Sequence, residues 1–164
     1  PRSTLFPYTT LFRSYAIDKQ RALDIVRASS SLPYVSKIVN VDGIPMLDGG
    51  IADSIPVQHA IDMGYEHNVV ILTRNKGWRD NGKDRKIPYL YKSYPRLRVA
   101  LSHRHKVYNE QIQLVDDLEA AGKITCIRPL RPLEVGRIEK DTVKLERLYE
   151  EGFTLGEAFC KEFI

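Results

Sequence analysis

Asp48 is followed by two glycines, Gly49 and Gly50, at the end of a short apolar run. A carboxylate at a strand end can act as a base or a hydrogen-bond acceptor. Two following residues without Cβ let other groups come close to the backbone. Asp53, five residues on, is the other carboxylate of the stretch. It stands just before Ser54-Ile55-Pro56, where a helix is expected to begin, and suits the positive end of that helix. Serines occur at 3, 14, 29, 30, 31, 36, 54, 93 and 102, and none has glycine at both second neighbours. A Gly-x-Ser-x-Gly nucleophile elbow is therefore absent from these 164 residues. His103 and His105 are two apart on an expected helix, so they point to different faces and make poor joint metal ligands. Cys126 and Cys160 fit no metal spacing. No glycine-rich phosphate loop follows a strand.

The elements that must position Asp48 can be read outward from it. Lys37–Val41 and Ile44–Leu47 are apolar runs flanking Asp42-Gly43, a strong signal for a two-residue hairpin. Asp18–Ser30 has helical spacing after a candidate Asp18 cap. Val57–Met63 reads as a short helix closed by Gly64, with Ser54 or Ile55 near its cap. Val69–Leu72 reads as a buried parallel strand. The order hairpin strand, Asp-Gly-Gly, helix, strand predicts a βαβ unit with Asp48 at the carboxyl end of its first strand, where ligands of open α/β sheets gather. Residues 73–86 read as a polar surface loop carrying Trp78. Tyr94–Ala121 has apolar positions at 97, 101, 108, 112, 115 and 118, a long amphipathic helix ended by Gly122. Ile124–Arg128 predicts a second core strand, stopped by Pro129. Leu130–Ile138 reads as an extended loop. Asp141 starts a helix to about Glu151, Gly152 breaks it, and a last helix follows from about Thr154 to Phe163. The alternation indicates an α/β fold.

The ordered set Ala28-Ser-Ser-Ser-Leu-Pro33, hairpin, Asp48-Gly49-Gly50 and Ile55-Pro56-Val57 resembles the patatin-like phospholipases, specifically the bacterial patatin-family proteins. The resemblance seen by eye runs from about Tyr15 to the C-terminus. It implies the C-terminal portion of a three-layer α/β/α fold with a mainly parallel central sheet. It implies a Ser-Asp dyad in which Asp48 is the base and Gly49 and Gly50 support it. The substrate would be an acyl ester, a phospholipid or other lipid, and no metal or organic cofactor would be needed. Apart from the resemblance, Trp78 among basic residues could touch a lipid interface, but a solvated loop with one packed Trp is the favoured account. The nucleophile serine and the glycine-rich oxyanion segment of the family are missing here, so this chain alone is expected to be inactive.

Thr4–Ser14 matches one reading frame of a sequencing-library adapter. Pro1–Ser14 is accordingly expected to be an artefactual prefix, with residues 15–164 a fragment of the hydrolase domain. Formal net charge is +4, from 25 basic and 21 acidic residues. Without Arg2 and Arg13 it is 23 − 21 = +2, so nucleic acid is not expected as a partner. The competing reading is a non-catalytic basic α/β module for nucleic acid or a protein, supported by the 74–86 loop and by Arg96, Arg98, His103, Arg104, His105 and Lys106. No run reaches the ~18 apolar residues of a membrane span. Two distant cysteines favour a reducing, cytoplasmic compartment.

Overall fold

A computed structural model of the chain describes residues 18–82, 91–136 and 139–163. Pro1–Ser14 and residues 83–86 of the loop lie outside them, as do Arg137 and Ile138. The chain forms two compact units. One comprises residues up to Pro56 together with Asn81–Gln111; the other comprises Val57–Asp80 and Ile112–Ile164.

The first unit opens with helix α1, Lys19–Ser29. Asp18 occupies the expected cap position, but its side chain makes no capping bond, and the turn is closed by its carbonyl. Strands β1 (Val39–Val41) and β2 (Ile44–Met46) pair antiparallel, with Val41 opposite Ile44. Asp42 and Gly43 link them with φ of +52° and +80°. Two consecutive positive φ values give the twist a two-residue hairpin needs, and Asp-Gly supplies them cheaply. Val39 and Val41 alternate with exposed Asn40 and point inward, where they meet Ile25 and Ala28 of α1. Beyond the hairpin, Leu47, Ile51, Tyr91 and Leu101 form a second buried cluster, flanked by Ile38, Leu97 and Ala100.

In the second unit, helix α2 (Val57–Asp62) leads to strand β3 (Asn68–Ile71) and packs against it. Strand β4 (Ile124–Ile127) pairs parallel with β3, placing Val70 opposite Cys126. The connection between them includes α3, Pro95–Ala120, whose last nine residues belong to this unit. Helix α4, Thr142–Phe163, packs against β4. Asp141 caps it, accepting the Val143 and Lys144 N–H groups at 3.0 and 3.3 Å.

Four expectations need correction. The described residues give two two-stranded sheets, β1-β2 and β3-β4, rather than a mainly parallel central sheet. The β2-to-β3 pairing is not formed among them. β2 is three residues long and contains Pro45, which has no N–H to give a ladder. The observed parallel pair is β3 with β4. Nor is β3 buried on both faces, since Val69 and Ile71 are 50% and 74% exposed. Finally, α4 runs straight through Gly152 as one helix of 22 residues. A single glycine costs a helix only about 1 kcal/mol, too little to break one that is capped and packed. No helix among the described residues is long and apolar enough to cross a membrane.

Candidate active site

Asp48 lies two residues beyond β2 and caps the 3₁₀ turn Gly49–Ile51. Its Oδ1 accepts the Gly50 N–H at 2.8 Å, so the carboxylate is folded back over its own turn. Its N–H donates to the Ser31 carbonyl at 3.0 Å. That bond joins the Ala28–Pro33 stretch to Asp48. Ser31 is itself buried, and its hydroxyl donates to the Arg27 carbonyl at 2.7 Å. Gly50 has a direct steric role: a Cβ there would sit 3.1 Å from Asp48 Oδ1.

The Gly50 carbonyl accepts two side-chain bonds, from Ser54 Oγ at 2.6 Å and from Arg104 Nε at 2.7 Å. Ser54 therefore closes the Asp-Gly-Gly turn instead of capping α2 with its hydroxyl. Gln111, two turns along the same face of α3 from Arg104, continues the arrangement. Its amide donates to Asp53 at 2.6 Å, and its oxygen accepts the Ser54 and Ile55 N–H groups at 3.2 Å each. Asp53 is thus held as a structural carboxylate next to the start of α2.

Among the described residues no serine hydroxyl is bonded to Asp48. Ser30, like Ser31, gives its hydroxyl to helix carbonyls, those of Val26 and Arg27. A Ser-Asp dyad needs roughly 2.6–3.2 Å between nucleophile and base, and no such pair is formed with Asp48 among the described residues.

The basic cluster on α3 divides. Arg96, Arg98, His103 and Lys106 are exposed, whereas Arg104 turns in to Gly50 and His105 lies against Gly82, its Nδ1 buried without a partner. His103 Nδ1 lies 3.0 Å from the Val99 carbonyl, so the two histidines do not converge. No group of three metal-ligating side chains occurs among the described residues. Trp78 is half-buried, with the Arg74 guanidinium 4.9 Å above its ring.

Sequence reasoning missed Arg104 and Gln111 as partners of the turn. The signal was their spacing: they fall in the gaps of the stripe 97, 101, 108, 112, 115, so polar residues sit on an apolar face.

A second charged cluster lies in the other unit. Arg128, nearly buried, bridges Asp116 at 2.8 Å and Glu119 at 2.7 Å, and Arg79 also reaches Asp116 at 3.1 Å. Burial works to raise the Asp116 carboxyl, but hydrogen bonds from Arg128 and Arg79 overcome it and hold its pKa below the usual value. Burial pushes the neighbouring Cys126 thiol up. Charges paired in this way brace α3 against the segment that follows β4 and are not a reactive group.

Comparison with known proteins bears on the first site. Residues 2–61 match the family model of the patatin-like phospholipases, a span that contains Asp48, Gly49 and Gly50 and begins within the stretch read as adapter-derived. Residues 94–164 match a different model, a domain of unknown function, DUF6363. The patatin-like match thus covers the N-terminal part of this chain and does not extend to the C-terminus as expected by eye. An uncharacterized protein of Escherichia coli K12, YjjU, is 48% identical over 56 residues, covering 34% of this chain and 16% of that protein. The matched stretch is therefore about one sixth of the relative's length. No solved structure matches the chain significantly.

Proposed function

We propose that this chain carries the base of a patatin-like lipid acyl hydrolase, with Asp48 as the aspartate of a Ser-Asp dyad and Gly49-Gly50 as its supporting turn. The observation that carries the reading is the Asp48 carboxylate held by its own turn, within a stretch matching the patatin-like phospholipases. Oδ1 is engaged by the Gly50 N–H, which fixes the carboxylate plane; Oδ2 has no hydrogen bond among the described residues and is the oxygen to receive a proton.

The chemistry follows from those roles. A serine hydroxyl attacks the ester carbonyl carbon while Asp48 takes its proton. The tetrahedral intermediate collapses, the alcohol leaves with the proton from Asp48, and an acyl-serine remains. Water then attacks the acyl group with Asp48 as base again, the bond from the acyl carbon to the serine oxygen breaks, and Asp48 returns the proton to that oxygen as the carboxylic acid is released. Backbone N–H donors near the serine would hold the oxyanion. No serine of these 164 residues stands in a Gly-x-Ser-x-Gly elbow, so the nucleophile and its oxyanion donors are sought outside them.

The test is to read the genomic DNA upstream of codon 15. The expected result is a glycine-rich segment followed by a strand and a Gly-x-Ser-x-Gly elbow, in frame with Asp48. An upstream stop codon followed by a start site, with no elbow between that start and codon 15, would return Asp48 to the role of a turn residue.

A further inference from the structure

We propose that Arg104 is a positioning residue for Asp48, acting through the Gly50 peptide; its importance for turnover rests on the dyad reading above, but its effect on the turn does not. Gly50 is the residue whose N–H orients the carboxylate and, with Gly49, one of the two residues of the turn that have glycine's backbone freedom. Left to itself, the peptide following it can rotate, and the N–H bond to Oδ1 loosens with it. Beside the long Ile51 N–H bond to the Asp48 carbonyl at 3.3 Å, two side-chain donors oppose that rotation. Ser54 Oγ is local, four residues along the same turn. Arg104 Nε is remote in sequence, 54 residues away, on a long helix whose Leu101 is buried in the cluster that also holds Leu47 and Ile51. The guanidinium carries a full charge, so its bond to a carbonyl is stronger than a neutral one. It lies 6.0 Å from the Tyr108 ring, which limits its swing.

Gln111 anchors the far end of the segment through Asp53, Ser54 and Ile55. The segment from Gly50 to Ile55 is thus pinned at both ends by side chains two turns apart on one face of α3. Arg104 and Gln111 both lie in the part matching DUF6363, whereas Asp48 and Gly50 lie in the part matching the patatin-like model. The consequence is that the C-terminal segment sets the geometry of the carboxylate it does not itself carry.

The experiment is amide hydrogen exchange, followed by NMR, on the 164-residue chain and its R104M, R104K and Q111M variants. R104M should raise exchange at the Gly50 N–H by about tenfold while the Ala28 and Val41 amides of the same unit stay unchanged. R104K, which can still reach the carbonyl with one charged donor, should restore part of the protection. Unchanged Gly50 exchange in R104M overturns the proposal, as does a rise shared equally by Ala28 and Val41, which would mean general loosening. Should R104M fail to fold, Q111M gives the second reading: loss of protection at Ser54 and Ile55 with Gly50 still protected by Arg104 supports separate anchors, and loss at all three overturns them. In the product of the complete coding region, R104M should lower kcat with KM unchanged. Absence of esterase activity in every form would sink the dyad reading and leave the exchange result to decide Arg104.

Discussion

Asp48 is oriented by a bond inside its own turn, and this separates two substitutions usually treated alike. Asp48→Asn keeps an oxygen that can accept the Gly50 N–H, so the turn should persist while the carboxylate is lost. Asp48→Ala removes the acceptor and should cost about 1 kcal/mol of stability, the usual value of a lost cap. Urea denaturation of the two variants should show that difference; equal stabilities would mean the 2.8 Å bond contributes nothing. Gly50→Ala should displace the carboxylate, because its Cβ would meet Asp48 Oδ1 at 3.1 Å. A carbon-13 shift of the Asp48 carboxyl should report it, and an unmoved shift would contradict the contact. Asp48 itself was legible in the sequence because Asp-Gly-Gly after an apolar run is a local pattern. Arg104 was not, since a basic residue on a helix usually marks a solvated face. Only contact with a turn 54 residues away reveals its role.

Individual elements were legible wherever their cause was local. Asp42-Gly43 specified the hairpin, Asp141 the start of α4, and the stripe through Leu97, Leu101, Tyr108, Ile112 and Val115 the helix α3. Strand partners were not legible, because pairing is decided by segments distant in sequence, and β2 with Pro45 could not extend a ladder toward β3. The strength of Gly152 as a breaker was overestimated. A Cβ there meets nothing within 4 Å, so Gly152→Ala should stabilise α4 by roughly 0.5–1 kcal/mol. Thermal melts should show a higher midpoint, and a lower one would place a real kink at that site. The Asp116–Arg128 bracing makes a pH prediction. The folded carboxyl has the lower pKa, so its contribution is present above the unfolded value of 3.8 and disappears as pH falls through the folded value. Urea midpoints below pH 4 should therefore fall more steeply for the wild type than for Asp116→Asn, and identical slopes would deny the bracing.

At the scale of the whole chain, two matches to different family models meet one structural fact: the turn carrying Asp48 is anchored by the helix that opens the second match. The α/β character was legible from alternation of helices and strands, while the extent of the patatin-like likeness was not, because residues beyond 61 contain ordinary α/β patterns without a distinguishing motif. The exposed Val69 and Ile71 on β3 are an apolar strand face of the kind that invites association. Replacing both by lysine should raise the soluble yield of the expressed chain; no change would show that this face does not drive aggregation. The 164-residue chain should show no ester hydrolysis above a blank, as it contains no Gly-x-Ser-x-Gly elbow.

The most direct measurement is ester hydrolysis by the product of the complete coding region, wild type against Asp48→Asn, with p-nitrophenyl acyl esters and phospholipid vesicles as substrates. The account predicts activity in the wild type and a loss of about 10²–10⁴-fold in kcat for the variant, the range expected of a general base, with the fold intact. An active wild type whose Asp48→Asn variant turns over equally fast would contradict it.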